Sequence, residues 1–145
     1  MKKIDSEIEA IQIAIYVNIV QNLLLKHQEL SLIKVLTFSY LVKVERFNSG
    51  AIYTSKTTHD TVCKAISMMA GEYAEYCNSV QYILKAIHVL IDSDRIKMVG
   101  SMLYCSKDKP VDIAIYEESA FLKLAVEASK RMTDRQFLKE VTASV

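Results

Sequence analysis

Residues 78–116, NSVQYILKAIHVLIDSDRIKMVGSMLYCSKDKPVDIAIY, decide how the chain is read. Asn78 and Gln81 have capping-box spacing, which predicts a helix from Ser79 onward. Val80, Ile83, Leu84, Ile87, Leu90 and Ile91 recur at i, i+3, i+4 and mark its apolar face. Asp92, Ser93 and Asp94 end it, because short polar side chains compete for backbone hydrogen bonds. Ile96, Met98 and Val99 lead through Gly100 into Met102, Leu103 and Tyr104, strand formers around a glycine that marks a bulge or a close backbone approach. Residues 106–110, SKDKP, form a polar loop holding the only proline. Val111, Ile113 and Ile115 then alternate with Asp112 and Ala114, as in a half-buried strand. A helix, a sharp turn and a hairpin with a charged tip make the build of a winged helix.

Upstream, residues 72–77, with Tyr73 and Tyr76, read as the short first helix of a helix-turn-helix pair. Thr57 and Asp60 stand at the N-cap and N3 of an earlier helix with Val62, Ile66 and Met69 on its buried face and Gly71 at its end. Residues 30–47 form another, through Leu32, Ile33, Leu36, Phe38, Tyr40, Leu41 and Val44. Lys34, Lys43, Glu45 and Arg46 supply its polar edge, Asn48-Ser49-Gly50 stop it, and residues 51–56 are an extended link.

Residues 4–26 fit both periods, but Ile4, Ile8, Ile11, Ile15, Ile19 and Leu23 recur at helical spacing over a length no strand reaches. Ser6 and Glu9 have capping-box spacing there too. Ile13, Val17, Val20 and Leu24 add a second apolar face, so this is either the central core helix or a surface for a partner or a second copy.

At the other end, Glu117 and Glu118 open a helix with Phe121, Leu124, Ala125, Ala128 and Met132 on one face. Thr133 and Gln136 re-cap, giving a break near Thr133. Phe137, Leu138 and Val141 form the apolar face of a tail helix that docks on its own domain or on a partner. The expected fold is mainly α with a small β-hairpin. A winged-helix-like α+β half (57–116) packs on N-terminal helices (1–56) and a C-terminal helical tail (117–145), in one domain.

The 145 residues are 51% hydrophobic and 24% charged, a globular composition. Eighteen Lys and Arg stand against seventeen Asp and Glu, which excludes a general nucleic-acid binder by bulk charge. Cys63, Cys77 and Cys105 are odd in number without a CxxC, which suits free thiols in a reducing cytoplasm. The N-terminus turns acidic before its apolar run and lacks a small-residue cleavage site, unlike a signal peptide. Gln12, Asn18, Gln21 and Asn22 interrupt residues 10–25, against a membrane span.

There is no Walker loop, GxSxG or HExxH. His59 and Cys63 at i, i+4 supply two groups, short of a zinc site and without a third partner for a catalytic dyad. His27 and His88 stand isolated. The expectation is no enzyme, no metal and no cofactor. If the winged half meets DNA, the contacts are Lys85, His88, Lys97, Lys107 and Lys109, the helix in the major groove and the wing tip on phosphate. Residues 85–110 carry a net charge of only +2, and the exposed helix face has no arginine or asparagine for base reading.

Four points carry a family resemblance over residues 10–105. An early helix carries Asn18 and then NLLL from Asn22; a leucine-rich helix follows, LSLIKVLTFSYLVK; next comes SKTTHDTV; last, a tyrosine-rich segment precedes VQYILKAIHVLIDSDRI and its hairpin. The chain thereby resembles the middle component of ABC-three-component (Lamassu-type) anti-phage systems. The resemblance implies a non-catalytic adaptor between a coiled-coil, SMC-like ABC ATPase and an effector nuclease. Duplex DNA is, on that resemblance, a partner reached through the complex. The alternative is a stand-alone winged-helix DNA-binding transcription regulator.

Overall fold

Residues 32–44, LIKVLTFSYLVKV, carry apolar side chains on every side, and such a helix is stable only where every side is covered. The computed structural model, which describes residues 2–44, 58–106 and 114–143, covers it in that way. The element order is α1 (Lys2–His27), β1 (Glu29–Ser31), α2 (Leu32–Val44), α3 (Thr58–Ser67), α4 (Tyr73–Asp92), β2 (Ile96–Val99), β3 (Met102–Cys105), α5 (Ala120–Ser129) and α6 (Asp134–Ala143). The fold is thus mainly α with a small antiparallel sheet. Every α2 residue from Lys34 to Val42 is buried, beneath α1 and α4 on one side and α5 and α6 on the other. α2, rather than α1, is the central helix. Its expected polar edge is partly internal: Lys34 is buried and donates to the carbonyl of Met132 at 2.7 Å. Burial holds its amine below the ordinary lysine value.

α1 divides in two. Tyr16, Ile19, Val20, Leu23 and Leu24 lie in the core, whereas Ile4, Ile8 and Ile11 face outward. The segment Ile4–His27 has the length and mean hydropathy of a membrane-crossing helix, and the core claims its second half. Gln28, at φ +73°, turns the chain sharply after α1. Leu30 and Ser31, expected at the start of the second helix, instead pair antiparallel with β3 together with Glu29, Leu30 opposite Leu103. The sheet order is β1-β3-β2.

The hairpin is one turn earlier than expected. β2 and β3 face each other with Val99 opposite Met102, joined through Gly100 at φ +60° and Ser101. A two-residue link needs positive φ, which glycine adopts without strain, so Gly100 makes the turn and not a bulge. The expected second strand at Val111 and Ile113, with the tip at Lys107, Lys109 and Pro110, falls outside the described residues. Ile115 is exposed in a bend, its N–H donating to Asn18 Oδ1 at 2.9 Å.

α4 is one helix from Tyr73, so the separate helices expected at 72–77 and from Ser79 are a single element. Gly71, at φ +80°, sets its start, and no side chain caps it. Tyr76 secures the first turns: it meets Tyr40 edge-on at 5.5 Å and the Thr37 hydroxyl at 3.1 Å. That tertiary contact outweighs the capping-box spacing at Asn78, whose carbonyl accepts from Gln81 Nε2 within the helix. α3 packs on α5 more than on α4, so the two do not form a packed helix-turn-helix pair.

The tail follows the sequence more closely. Ser119 caps α5 by accepting from Leu122 N–H at 3.1 Å. Leu122, Ala125, Val126 and Ser129 form its buried face, while Leu124 is exposed, a shift from the expected stripe. Thr133 and Gln136 exchange hydrogen bonds at 2.9 and 3.1 Å in a complete capping box for α6. Phe137 is fully buried against Phe38, ring centres 5.5 Å apart.

Candidate functional site

α4 stands directly before the hairpin, where a winged helix carries its groove-reading element. Its charges do not suit phosphate. Lys85 pairs with Glu9 of α1, and His88 lies 3.1 Å from Asp92. Lys97 is exposed on β2. Lys107 and Lys109 lie outside the described residues. The described contact candidates on α4 are thus occupied by acidic neighbours, and the turn at Gly100-Ser101 carries no charge.

The residues expected to dock a partner separate into two groups. Val20, Leu24, Phe137 and Val141 are core residues, each no more than 2% exposed, and their faces are filled by this chain. Ile13 and Val17 are half-buried against the core. Leu138 is exposed on α6. The more open apolar surface belongs to the stripe read as the inward one. Ile4, Ile8 and Ile11 are 53%, 50% and 57% exposed, and Ile15 continues their spacing half-buried. The periodicity is symmetric between these stripes. Only the position of α4 and α2 along α1 decides which is covered, so the sequence carried no signal for it.

A second feature escaped the sequence reading. His27, the last residue of α1, is 4% exposed between two carboxylates. Its Nε2 lies 2.8 and 3.0 Å from the oxygens of buried Glu118, and its Nδ1 hydrogen-bonds Glu127. Lys130 donates to the His27 carbonyl and lies 3.2 Å from Glu127. Burial alone lowers the pKa of the imidazole. The carboxylates on both sides more than reverse this and hold it above the ordinary histidine value. Glu127 is held below the ordinary carboxylate value: its slight burial is outweighed by His27 and Lys130. The expected position of Glu118, favouring the dipole of a helix start, gives way to this ion pair; α5 begins after it. These partners are about a hundred residues apart, so no local spacing could reveal them.

The cluster does not chelate a metal, because its carboxylates flank opposite nitrogens of one ring. A recess beside it, lined by Ile19, Asn22, Leu23, Lys26, Val42, Tyr116 and Glu118, offers about 10 Å³, room for about one water. Among the described residues no group of His, Cys, Asp and Glu side chains is arranged to hold a metal. Cys63 donates to Glu140 at 3.4 Å. Burial and that carboxylate push its thiol up to about 11, the reverse of what a nucleophile needs. The side chain of His59 lies outside the described residues.

No family model, curated protein or solved structure matches the chain.

Proposed function

We propose that the chain is a non-catalytic accessory subunit that bridges an SMC-like ABC ATPase and an effector nuclease in an anti-phage or anti-plasmid defence complex. The observation that carries the docking role is the exposed row Ile4, Ile8 and Ile11 on a helix whose other half is core. Spacing of i, i+4, i+7 is the seam of a coiled coil, whose knobs need a facing helix to fill. Asp5 and Glu7 are exposed beside the row. The occupant with complementary charge is a partner helix with an apolar seam flanked by lysine or arginine, as a coiled-coil ATPase can offer. The assignment to a defence complex rests on the sequence resemblance.

The test is a tagged pull-down from the native cell with mass spectrometry, run beside the triple variant Ile4→Asp, Ile8→Asp, Ile11→Asp. These side chains lie outside the core, so the variant keeps its fold by circular dichroism. Recovery of a coiled-coil ATPase and a nuclease with the native chain, and their loss with the variant, supports the reading. Recovery of the chain alone, of unrelated proteins, or of the same partners with the variant overturns it.

The second reading is a stand-alone winged-helix transcription regulator, favoured by the β1-β3-β2 sheet next to α4. It requires duplex binding that weakens steeply with salt. The pairing of Lys85 with Glu9 and of His88 with Asp92 leaves that reading the weaker.

A further inference from the structure

His27 occupies the corner where α1 ends and β1 begins, and everything it binds comes from the far end of the chain. Glu118 lies in the segment leading into α5, and Glu127 and Lys130 lie at the end of α5. A neutral imidazole has a single N–H, and an ionised carboxylate only accepts. With a carboxylate on each ring nitrogen, a neutral ring would turn a lone pair against one of them. Only the doubly protonated ring donates to both. Glu118 is itself buried, and a buried carboxylate is stable only when paired. The helix terminus adds to this, since the carbonyl end of α1 favours a cation at its last residue.

We propose that His27 is a proton-controlled clasp that fastens α5 and the segment before it to the α1–β1 corner. With the proton in place, the imidazolium joins Glu118 to Glu127. When the ring loses it, one carboxylate faces a lone pair and the joint between α5 and the α1–β1 corner loosens. The other charged groups here are Lys26 on α1, Lys130 on α5 and Glu117 beside Glu118; Glu29 lies across Gln28 on β1. Lys130 bridges Glu127 to the His27 carbonyl, so it tethers α5 at one point after the ring bond is lost.

The direction with pH follows from the raised imidazole. Its contribution is fully present below the ordinary histidine value of 6.5 and is lost as pH rises through the higher folded-state value. α5 therefore loosens as pH rises through that folded-state value, above 6.5.

The experiment is nitrogen-15 NMR of the His27 ring together with hydrogen exchange of the α5 amides, between pH 5.5 and 9, on the full chain. The expected result is both ring N–H groups present at the acid end and a ring pKa above 6.5. Severalfold faster α5 exchange should set in at that same pKa, after correction for the intrinsic pH dependence, with α4 unchanged. The variant Glu118→Gln keeps an acceptor and removes a charge, and it should move both transitions to lower pH together. A ring with a single N–H at the acid end, a pKa at or below 6.5, or α5 exchange indifferent to the ring's titration overturns the proposal. Because the ring is followed in the native chain, a variant that fails to fold leaves these outcomes decisive.

Discussion

Phe137→Ala should remove about 3–5 kcal/mol of stability, the range for an aromatic deleted from a packed core. Phe137 is fully buried on α6 and stacks obliquely on Phe38 of α2. Transfer of the lost ring to water accounts for about 2–3 kcal/mol of this. The ring pair adds about 0.5–1.5 kcal/mol. The rest is the cavity, which α2 cannot fill because it is held on all sides. A loss of that size is a large part of the roughly 5–15 kcal/mol that holds a domain together. Urea unfolding followed by circular dichroism reads it as a midpoint lowered by roughly 2 M, at a slope of about 2 kcal/mol per M. Leu138→Ala, on the exposed side of the same helix, is the control and should cost about 0.5 kcal/mol or less. Equal midpoints for the two variants would show that α6 does not dock through Phe137. The tail would then have its apolar face available to a partner, contrary to the packing described.

Three further outcomes follow from local geometry. Thr133→Ala should cost about 1 kcal/mol by opening the capping box of α6, and Thr133→Ser should restore most of it in the same urea assay. Gly100→Ala should cost about 1–2 kcal/mol through backbone strain alone, because φ is +60° and nothing lies within 4 Å of the added carbon. Alkylation at neutral pH should label exposed Cys77 well before Cys63, whose thiol is held protonated; mass spectrometry of the digested protein reads the order.

The features legible in the sequence are those written in neighbouring residues. The α6 capping box involves residues three apart, and the span of α1 and the break at Gly71 are likewise local. What escaped was written across distance. β1 is three residues long and exists because β3 supplies its hydrogen bonds from some seventy residues away. The start of α4 was misplaced because Tyr76 finds Tyr40 and Thr37 in the fold, which no capping rule anticipates. The hairpin was misjudged because Gly100 serves a bulge and a two-residue turn equally well until the strands' register is known. At the candidate sites, the two apolar stripes of α1 are equivalent on paper, and packing exposed the N-terminal half of the first while burying its C-terminal half and much of the second. His27 looked isolated for the same reason: its partners are 91 and 100 residues away.

The enclosure of α2 also bears on how the protein is made. Its apolar surface leaves the ribosome before α4, α5 and α6 exist to cover it. At about 5–20 residues per second, roughly a hundred residues of further synthesis leave this helix without its final partners for about 5–20 seconds. Throughout that interval α1 covers one side of the helix, and the sides that α4, α5 and α6 will take stay bare. Its yield in the cell therefore depends on whether a chaperone shields residues 32–44 until the C-terminal helices arrive, as much as on the stability of the finished fold.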